Sequence, residues 1–317
     1  SHRNLESQQL DALYRKRIQK FSKIVIMNYH IPVLLNEILD YLNVQKGCKY
    51  IDCNLGDGGH TLEILRLGGC VLGLDIDQKS IDRAQKRIED ENLSTNFIAV
   101  CANFKDLYSV AKENGFTACL GVLYDLGYSS TQLDLPEYGL SFLSDAPLDM
   151  RLDQNLGVTA ADLINTLSER DLTRVFSEFG GENLAKKYAQ AIIVARKSHP
   201  FTTTKQLSDL LQSVAPKNYE HGRINPATRV FQALRIVVND ELENLQVSLP
   251  QAAQVLLPGG RILAISFHSL EDRLVKSFGQ SVRPNLKKIT LKPVRPSADE
   301  VSSNSRSRSA CLRVLER

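Results

Sequence analysis

The pattern of hydrophobic and polar residues changes along this chain and divides it into parts of different predicted structure. Between 47 and 127, short apolar runs that end in polar residues alternate with segments of helical period. In one such segment Ile81, Ala84 and Ile88 recur every three or four positions, so the helix presents one apolar face to a sheet. This alternation predicts a right-handed βαβ series built on a parallel sheet.

Beyond Gln132 the pattern changes to a turn-rich loop and then to helices without strands. Residues 135–225 are therefore predicted to form an inserted all-α domain that recognises the substrate. A long amphipathic helix is expected from about Pro226 to Leu257, followed by a strand over 261–268. Two later apolar runs, KITLKPV and ACLRVLE, are expected to close the sheet as an antiparallel edge pair.

The chain length of 317 residues exceeds the usual size of one domain, so two cores are expected. Residues 27–134 and 226–317 are assigned to one α/β domain that the helical insertion interrupts. Residues 1–26 contain six basic and two acidic residues and precede a methionine that resembles a natural start. We interpret them as a leader or an added extension and leave them out of the fold prediction.

The net charge of +3 is unevenly distributed. Residues 281–317 contain nine basic and three acidic residues, whereas 27–280 carry a net charge of −7. Arg306, Arg308 and Arg313 in this basic tail are predicted to follow a nucleic-acid backbone and neutralise its phosphates, which favours a nucleic-acid partner. A tail that only increases solubility is an equally weighted alternative.

Cysteine usage and hydropathy indicate the compartment. The six cysteines form no CxxC pair, and most lie in or beside apolar strand-like runs, as reduced buried thiols do. No apolar run approaches the roughly 20 residues of a membrane helix, and no signal peptide is recognisable. A cytoplasmic protein without a membrane segment is expected.

Three predicted strands end in acids or glycine turns. The run KYIDCNLGDGGH contains Gly56, Gly58 and Gly59, which let backbone amides approach a bound group at a helix start. Asp75 and Asp125 end the next two such runs, GCVLGLDID and CLGVLYDLG. Because carboxyl ends of parallel strands form one ligand-binding edge, the sequence predicts a site for a nucleoside-like cofactor.

The glycine loop disfavours hydride chemistry, because a dinucleotide fingerprint needs its third glycine where this chain has Thr61. Asp75 is placed to accept both hydroxyls of a ribose, although it could instead cap a helix. Phe104 is a candidate wall for adenine, with core packing as the alternative. We find no cluster of metal ligands in the sequence and expect that no metal is required.

An S-adenosylmethionine site needs backbone amides near the amino-acid end, an acid for the ribose, an apolar wall for the adenine and a polar residue near the methyl group. Asp125 is placed for the last role. Asp125 and Tyr128 also echo the acid-x-x-aromatic spacing of amino-group methyltransferases, in which the acid accepts a hydrogen bond from the amine. Tyr128 as a surface turn residue is the alternative at even weight.

Seven ordered blocks resemble a known family, the bacterial 16S rRNA (cytosine-N4)-methyltransferases, also called MraW or RsmH. They are HIPVLLNE, GDGGH, DLGYSSTQLD, DAPLDMRLD, NPATRVFQALRIVVNDEL, ISFHSLEDRLVK and SRSRSACLRV. The resemblance implies a class I (Rossmann-like) S-adenosylmethionine methyltransferase fold with an inserted helical domain. It also implies N4-methylation of a cytidine in the decoding region of small-subunit rRNA. Tyr128 departs from the family, which usually has a small aliphatic residue there.

The family's cofactor contacts carry over onto seven residues of this chain: Gly58, Gly59, His60, Asp75, Phe104, Asp125 and Gln132. Candidate RNA contacts are Arg229, Arg235, His268, Arg306 and Arg308. Ion pairs are an equal alternative for Arg229 and Arg235, and Ser269 is expected to cap the helix after His268. The sequence leaves open whether the substrate is free rRNA or the assembled small subunit. It also leaves open whether the protein forms a homodimer.

Two other functions were weighed. A noncatalytic RNA-binding module that responds to S-adenosylmethionine is disfavoured because Asp125 and Gln132 are retained. A nucleotide-dependent oxidoreductase is disfavoured by Thr61 and by the lack of a nicotinamide-facing motif.

Overall fold

The computed structural model describes residues 29, 31–282 and 285–317, so the predicted leader at 1–26 lies outside the described residues. The strands are β1 (Lys49–Asp52), β2 (Cys70–Asp75), β3 (Phe97–Cys101), β4 (Cys119–Asp125), β5 (Leu256–Ser266), β6 (Lys287–Lys288) and β7 (Cys311–Glu316). The helices before the predicted insertion are α1 (Leu35–Leu42), α2 (Gly59–Arg66), α3 (Gln78–Asp90), α4 (Leu107–Glu113) and α5 (Ser130–Asp134). The later helices are α6 (Ala160–Thr166), α7 (Glu169–Glu178), α8 (Ala185–Ala195), α9 (Thr204–Val214), α10 (Thr228–Val238), α11 (Glu241–Val255), α12 (Ser269–Ser281) and α13 (Ala298–Ser303).

The strands form one sheet in the order β3-β2-β1-β4-β5-β7-β6. The first five strands are parallel, and β7 runs antiparallel between β5 and β6. The chain order reverses at β1, which has β2 on one side and β4 on the other. Ligands of open α/β sheets bind outside the carboxyl ends at such a switch point. The predicted Rossmann-like sheet with inserted helices is confirmed.

Each face of the sheet has its own apolar core, because successive strand residues point to opposite faces. On β1, Ile51 joins the core that packs beneath α4 and α11, whereas Tyr50 joins the core beneath α1 and α2. Both side chains are 1% exposed. Burial on both faces explains why the strands are nearly continuous apolar runs rather than alternating ones.

The helices α6 to α9 surround a separate core that includes Ile164, Phe176, Tyr188 and Leu207. Val230, Phe231 and Leu234 of α10 also belong to this core, although 226–317 was assigned to the sheet domain. The division into 27–134 with 226–317 and an insertion over 135–225 therefore stays a proposal, in which α10 joins the two parts.

The single long helix expected from Pro226 to Leu257 is wrong, because α10 and α11 are separate helices. The helix is interrupted at Asn239 and Asp240, and Asp240 has a left-handed backbone with φ of 49°. The Asn239 side chain accepts from the Leu152 N–H and donates to the Met150 carbonyl, both at 2.8 Å. These two hydrogen bonds hold the loop at 150–152 against the end of α10.

No helix in the described part of the chain is both long and apolar enough to cross a bilayer.

Candidate active site

Three aspartates lie at the carboxyl ends of three adjacent strands. Asp52, Asp75 and Asp125 end β1, β2 and β4, which are neighbours in the sheet. Burial raises the pKa of Asp52 and of Asp75 to about 6, and burial together with the nearby charges of Asp52 and Glu271 raises the pKa of Asp125 to about 8. The row of acids favours a ligand that carries positive charge or hydrogen-bond donors.

The glycine loop between β1 and α2 is held by the second of these acids. The Gly56 N–H donates to Asp75 at 2.8 Å, and the Asp77 N–H donates to the other Asp75 oxygen at 2.9 Å. A Cβ at Gly59 would lie 2.5 Å from Pro32 Cγ, so glycine is required there. The loop therefore brings the amino end of α2 to the carboxyl edge of the sheet.

Asp125 has one oxygen near a histidine and one without a partner. Its Oδ2 lies 3.6 Å from His60 Nδ1, while His60 Nε2 lies 2.9 Å from the Val33 carbonyl oxygen, which orients the ring. Among the described residues, Asp125 Oδ1 has no hydrogen-bond partner although it is buried. A buried acceptor without a donor costs free energy, and a bound donor would remove that cost.

A cavity at this edge, here called the cofactor cavity, fits an adenosyl cofactor. It is lined by Asn54, Gly56, Gly59, His60, Asp75, Phe104, Asp125 and Gln132, among others. Asn54 Oδ1 is a second buried acceptor without a partner in the described chain. Phe104 packs edge-to-face on Tyr124, with ring centroids 5.7 Å apart, and its partly buried ring offers an apolar wall.

Gln132 reaches the same cavity from α5 but already has partners for its amide group. Its Oε1 accepts from the Ser129 N–H at 2.8 Å, and its Nε2 donates to Asp77 at 3.2 Å. The same Asp77 oxygen accepts from the Tyr138 hydroxyl at 2.9 Å. Asp77, which also caps α3, thus connects the start of α3 to Gln132 of α5 and to Tyr138.

A second cavity adjoins the first and has basic walls. This basic cavity has a volume of ≈ 410 Å³ and is lined by Arg235, Arg306, Arg308 and His268, together with Gln232, Ser305 and Ser309. It shares Leu126, Gly127, Tyr128 and Phe267 with the cofactor cavity. A molecule held by the basic walls can therefore reach the strand end that carries Asp125.

Arg235 is fixed between an acid and an aromatic ring. Its guanidinium donates two hydrogen bonds to Glu241, at 2.7 and 2.8 Å, and lies 4.8 Å from the centre of the Tyr128 ring. Tyr128 remains 37% exposed. The ring thus carries the guanidinium on one side while part of the side chain stays open to the shared wall of the two cavities.

Three potential metal ligands lie close together in the described residues. The ligand atoms of Glu241, His268 and Glu271 are all within 4.8 Å of one another. Both Glu241 oxygens accept from Arg235, however, so a metal ion there would face a guanidinium. The pairing of Glu241 with Arg235 and the helix cap formed by His268 and Glu271 explain this cluster better, and the absence of a metal requirement stays a prediction.

The helix cap predicted at Ser269 is wrong, because His268 is the N-cap of α12. Its Nδ1 faces the Glu271 N–H at 3.5 Å, and Glu271 Oε2 accepts from the Phe267 N–H at 2.8 Å. Burial raises the pKa of Glu271, but His268, Arg235 and the Phe267 N–H outweigh it and hold that pKa below its usual value. Glu271 is therefore a buried carboxylate.

The chain was compared with known proteins. The profile of the MraW methylase family matches residues 27–317. The chain belongs to the MraW methylase family. It is 44% identical over 306 residues to ribosomal RNA small subunit methyltransferase H of Carboxydothermus hydrogenoformans, covering 91% of this chain and 97% of that relative. It is 45% identical over 308 residues to the protein of the same name from Thermomicrobium roseum, covering 91% and 93%.

A solved rRNA methylase from Streptococcus thermophilus aligns with 91% of this chain and 99% of its own, at a TM-score of 0.44 and 10% identity. Membership of the MraW methylase family confirms the predicted resemblance, and the chain is an S-adenosylmethionine-dependent methyltransferase.

The sequence-predicted residues of this methylase fall into three groups. Gly59, His60, Asp75, Phe104, Asp125 and Gln132 line the cofactor cavity, whereas Gly58 lies behind it, against Ala84 of α3. Tyr128, Arg235, His268, Arg306 and Arg308 line the basic cavity. Arg229 lies outside both cavities and pairs with Glu220 at 2.6 Å.

Sequence reasoning missed three residues of the methylase site. Asn54 lies two residues after β1 ends at Asp52, so its place near a strand end was a usable signal. Glu271 lies three positions after His268, in one of the blocks that carry the resemblance. Glu241 offered no signal, because the break between α10 and α11 that brings it to Arg235 was not predicted.

The pH dependence of the unfolding free energy of the cofactor-free methylase should report the pKa of Asp125. The pKa of Asp125 in the folded state, about 8, lies above the ordinary value of 3.8 for an aspartate. The stability it contributes is therefore complete below pH 4 and is lost as pH rises towards 8, by up to about 1.4 kcal/mol per pH unit. Asp125→Asn should become more stable than the wild type as pH rises from 5 to 8, measured by denaturant unfolding.

The control for this measurement is Asp145→Asn, at an exposed acid. It should leave the pH dependence of the unfolding free energy unchanged. An Asp125→Asn variant with the same pH dependence as the wild type would show that Asp125 is ionised in the folded chain at neutral pH.

Proposed function

We propose that this MraW-family methylase transfers a methyl group from S-adenosylmethionine to N4 of a cytidine in the decoding region of small-subunit rRNA. The observation that carries the proposal is the junction of the two cavities, where a site suited to an adenosyl cofactor opens onto a basic surface. Relatives more than 40% identical are named as methyltransferases of small-subunit ribosomal RNA. The resemblance described above indicates cytosine N4 as the methylated position.

Charge on the basic cavity supports an RNA substrate. Arg306 and Arg308 lie on a short 3-10 turn at Ser305–Ser309, next to the shared wall of the two cavities. Arg306 contacts Asp134 only at 3.4 Å, and both side chains are largely exposed, so this ion pair contributes little. Its guanidinium can therefore exchange that contact for a phosphate. Arg313, in contrast, is bound to Asp272 at 2.6 Å and serves the fold.

S-adenosylmethionine supplies an electrophilic methyl group on a sulfonium, so the enzyme mainly has to align the reacting atoms. Asp75 is placed to accept from ribose hydroxyls, and Asn54 Oδ1 can accept from the ammonium group of the cofactor. Leu126 and Phe267 lie at the shared wall, where they exclude water.

Asp125 is the candidate catalytic residue of this reaction. Its unpaired Oδ1 can accept from the N4 amino group, which increases electron density on a nitrogen otherwise delocalised into the ring. N4 must also lose a proton once the new bond forms. The ionised Asp125 carboxylate, which the positive charge of a bound sulfonium would favour, is placed to take up that proton.

The test is transfer of labelled methyl from S-adenosylmethionine to small ribosomal subunits that lack the modification, followed by nucleoside analysis. N4-methylcytidine in the rRNA is the expected product. Free small-subunit rRNA is assayed in parallel, since the two substrates need not be equivalent. Cofactor binding without methyl incorporation into either substrate would overturn the proposal and favour a noncatalytic RNA-binding module.

The role of the basic tail can be tested separately. The double variant Arg306→Ala and Arg308→Ala should weaken subunit binding and reduce the slope of log affinity against log salt by about one per arginine. Removing two exposed lysines instead, Lys86 of α3 and Lys112 of α4, deletes the same charge outside both cavities. Equal effects of the two double variants would show that only net charge matters.

A cytoplasmic location agrees with a ribosomal substrate and remains part of the proposal.

A further inference from the structure

The wall shared by the two cavities brings two segments together from distant parts of the chain. Leu126 to Tyr128 follow β4, and Phe267 and His268 follow β5, its parallel neighbour. The Leu126 N–H donates to the Ile265 carbonyl at 3.0 Å, which holds the two segments side by side. Asp125 lines the cofactor cavity and His268 lines the basic cavity, so the two side chains lie on either side of this shared wall.

His268 carries a ring nitrogen without a hydrogen-bond partner. Its side chain is only 10% exposed, and Nε2 is buried and makes no hydrogen bond within the described chain. Glu271 Oε1 lies 3.2 Å away but is not in hydrogen-bonding geometry. A buried polar atom normally has a hydrogen-bond partner. His268 Nε2 therefore lacks a partner that a bound ligand can supply.

The surroundings of the ring place a proton on Nε2. Nδ1 faces the N–H of Glu271, so Nδ1 carries the lone pair and acts as the acceptor of the helix cap. The buried Glu271 carboxylate beside Nε2 favours a proton on that nitrogen for the same electrostatic reason. His268 thus presents a donor, while Asp125 Oδ1 presents an acceptor.

This pairing matches one nucleobase edge. Cytosine has a donor at its N4 amino group and an acceptor at the neighbouring N3. Uracil has the reverse pattern, with an acceptor at O4 and a donor at N3. Proteins that bind extruded bases read this edge with side-chain hydrogen bonds, and a buried mismatch leaves both partners unsatisfied.

We propose that His268 is a specificity-determining residue that donates from Nε2 to N3 of the target cytosine, while Asp125 accepts from its N4 amino group. The inference rests on the proposed function, because it names the residue that reads the base methylated there. A role in helix capping alone does not account for His268, since the cap uses only Nδ1 and a serine would serve equally well.

The experiment measures binding of nucleotides to the protein saturated with S-adenosylhomocysteine. The probes are cytidine 5′-monophosphate, its 3-deaza analogue, in which a C–H replaces N3, and uridine 5′-monophosphate. We expect the wild type to bind the cytidine probe about tenfold more tightly than the 3-deaza probe, and uridine no better than the 3-deaza probe. Dissociation constants are obtained from chemical-shift titrations.

Variants separate base reading from helix capping. His268→Ser keeps a good N-cap and should bind cytidine and 3-deazacytidine equally, at the wild-type affinity for the 3-deaza probe. His268→Gln supplies an amide donor and should restore part of the preference. His199→Ser, at an exposed histidine outside both cavities, should retain the full preference.

Three results would overturn the inference: a wild type that does not bind the cytidine probe, a wild type without preference between cytidine and 3-deazacytidine, and a serine variant that keeps the preference. The methyl-transfer assay on small subunits distinguishes this failure from failure of the proposed function. Base preference without methyl transfer would refute the proposed function alone, and methyl transfer without a His268-dependent preference would refute the inference alone.

Discussion

Replacing Asp125 by alanine is expected to lower the rate of methyl transfer by about 10²- to 10³-fold at saturating cofactor, the usual cost of removing one preorganised polar group from a reacting centre. The residue ends β4 between two cavities, and its Oδ1 has no partner in the described chain. The acceptor is thus held in place for a group that arrives with the substrate. A single-turnover assay with labelled methyl on unmodified small subunits measures the effect.

Two further variants make this result interpretable. Asp125→Asn retains an oxygen acceptor and should lose less activity than alanine, but it cannot hold the proton released from N4. Asp145→Ala removes an exposed acid outside both cavities and should be fully active. If alanine at 125 abolished the circular-dichroism signal of the fold, or left the rate near that of the wild type, the catalytic assignment would have to be abandoned.

Replacing Asp75 by alanine is expected to weaken S-adenosylmethionine binding by about 30- to 1000-fold. Asp75 accepts from the N–H groups of Gly56 and Asp77, so it holds the glycine loop as well as offering oxygen to a ribose. Hydrogen bonds to a charged group contribute about 1.5–3 kcal/mol each, and the range of affinities follows from losing one or two such interactions. Titration calorimetry with S-adenosylmethionine gives the dissociation constant directly.

The matched control for Asp75 is Asp82→Ala, at an exposed acid on α3 whose carboxylate accepts from the Gln78 side-chain amide at 2.8 Å. Its affinity for the cofactor should equal that of the wild type. A drop of less than fivefold for Asp75→Ala would mean that the ribose is held elsewhere and that the glycine loop keeps its shape without this carboxylate.

The cofactor half of the site was largely predictable. Asp75 and Asp125 end apolar runs, and parallel strands place their carboxyl ends at one edge, so local sequence pattern was enough to group them. Gly58 shows the limit of this reasoning, because only the structure reveals that it packs on Ala84 rather than facing the cavity. The roles given to these residues stay predictions.

The substrate half was less predictable, because charge alone does not distinguish a free arginine from a paired one. Arg229 and Arg235 were equal candidates, yet Arg235 lies in the basic cavity against Tyr128 and Arg229 pairs with Glu220 outside it. The different surroundings of the two arginines follow from the interruption of the helix at Asn239 and Asp240. A helical hydrophobic period does not reveal this interruption.

By itself the sequence determined the parallel sheet, the inserted helices, the acids at the strand ends and the family, since each depends on local period or on short ordered motifs. Only the tertiary structure decided that Tyr128, Arg235, His268 and Arg306 surround one cavity. These residues are up to 178 positions apart in the chain. Their proximity depends on how β4, β5 and α10 pack, and packing between distant segments is a property of the whole fold that no local pattern records.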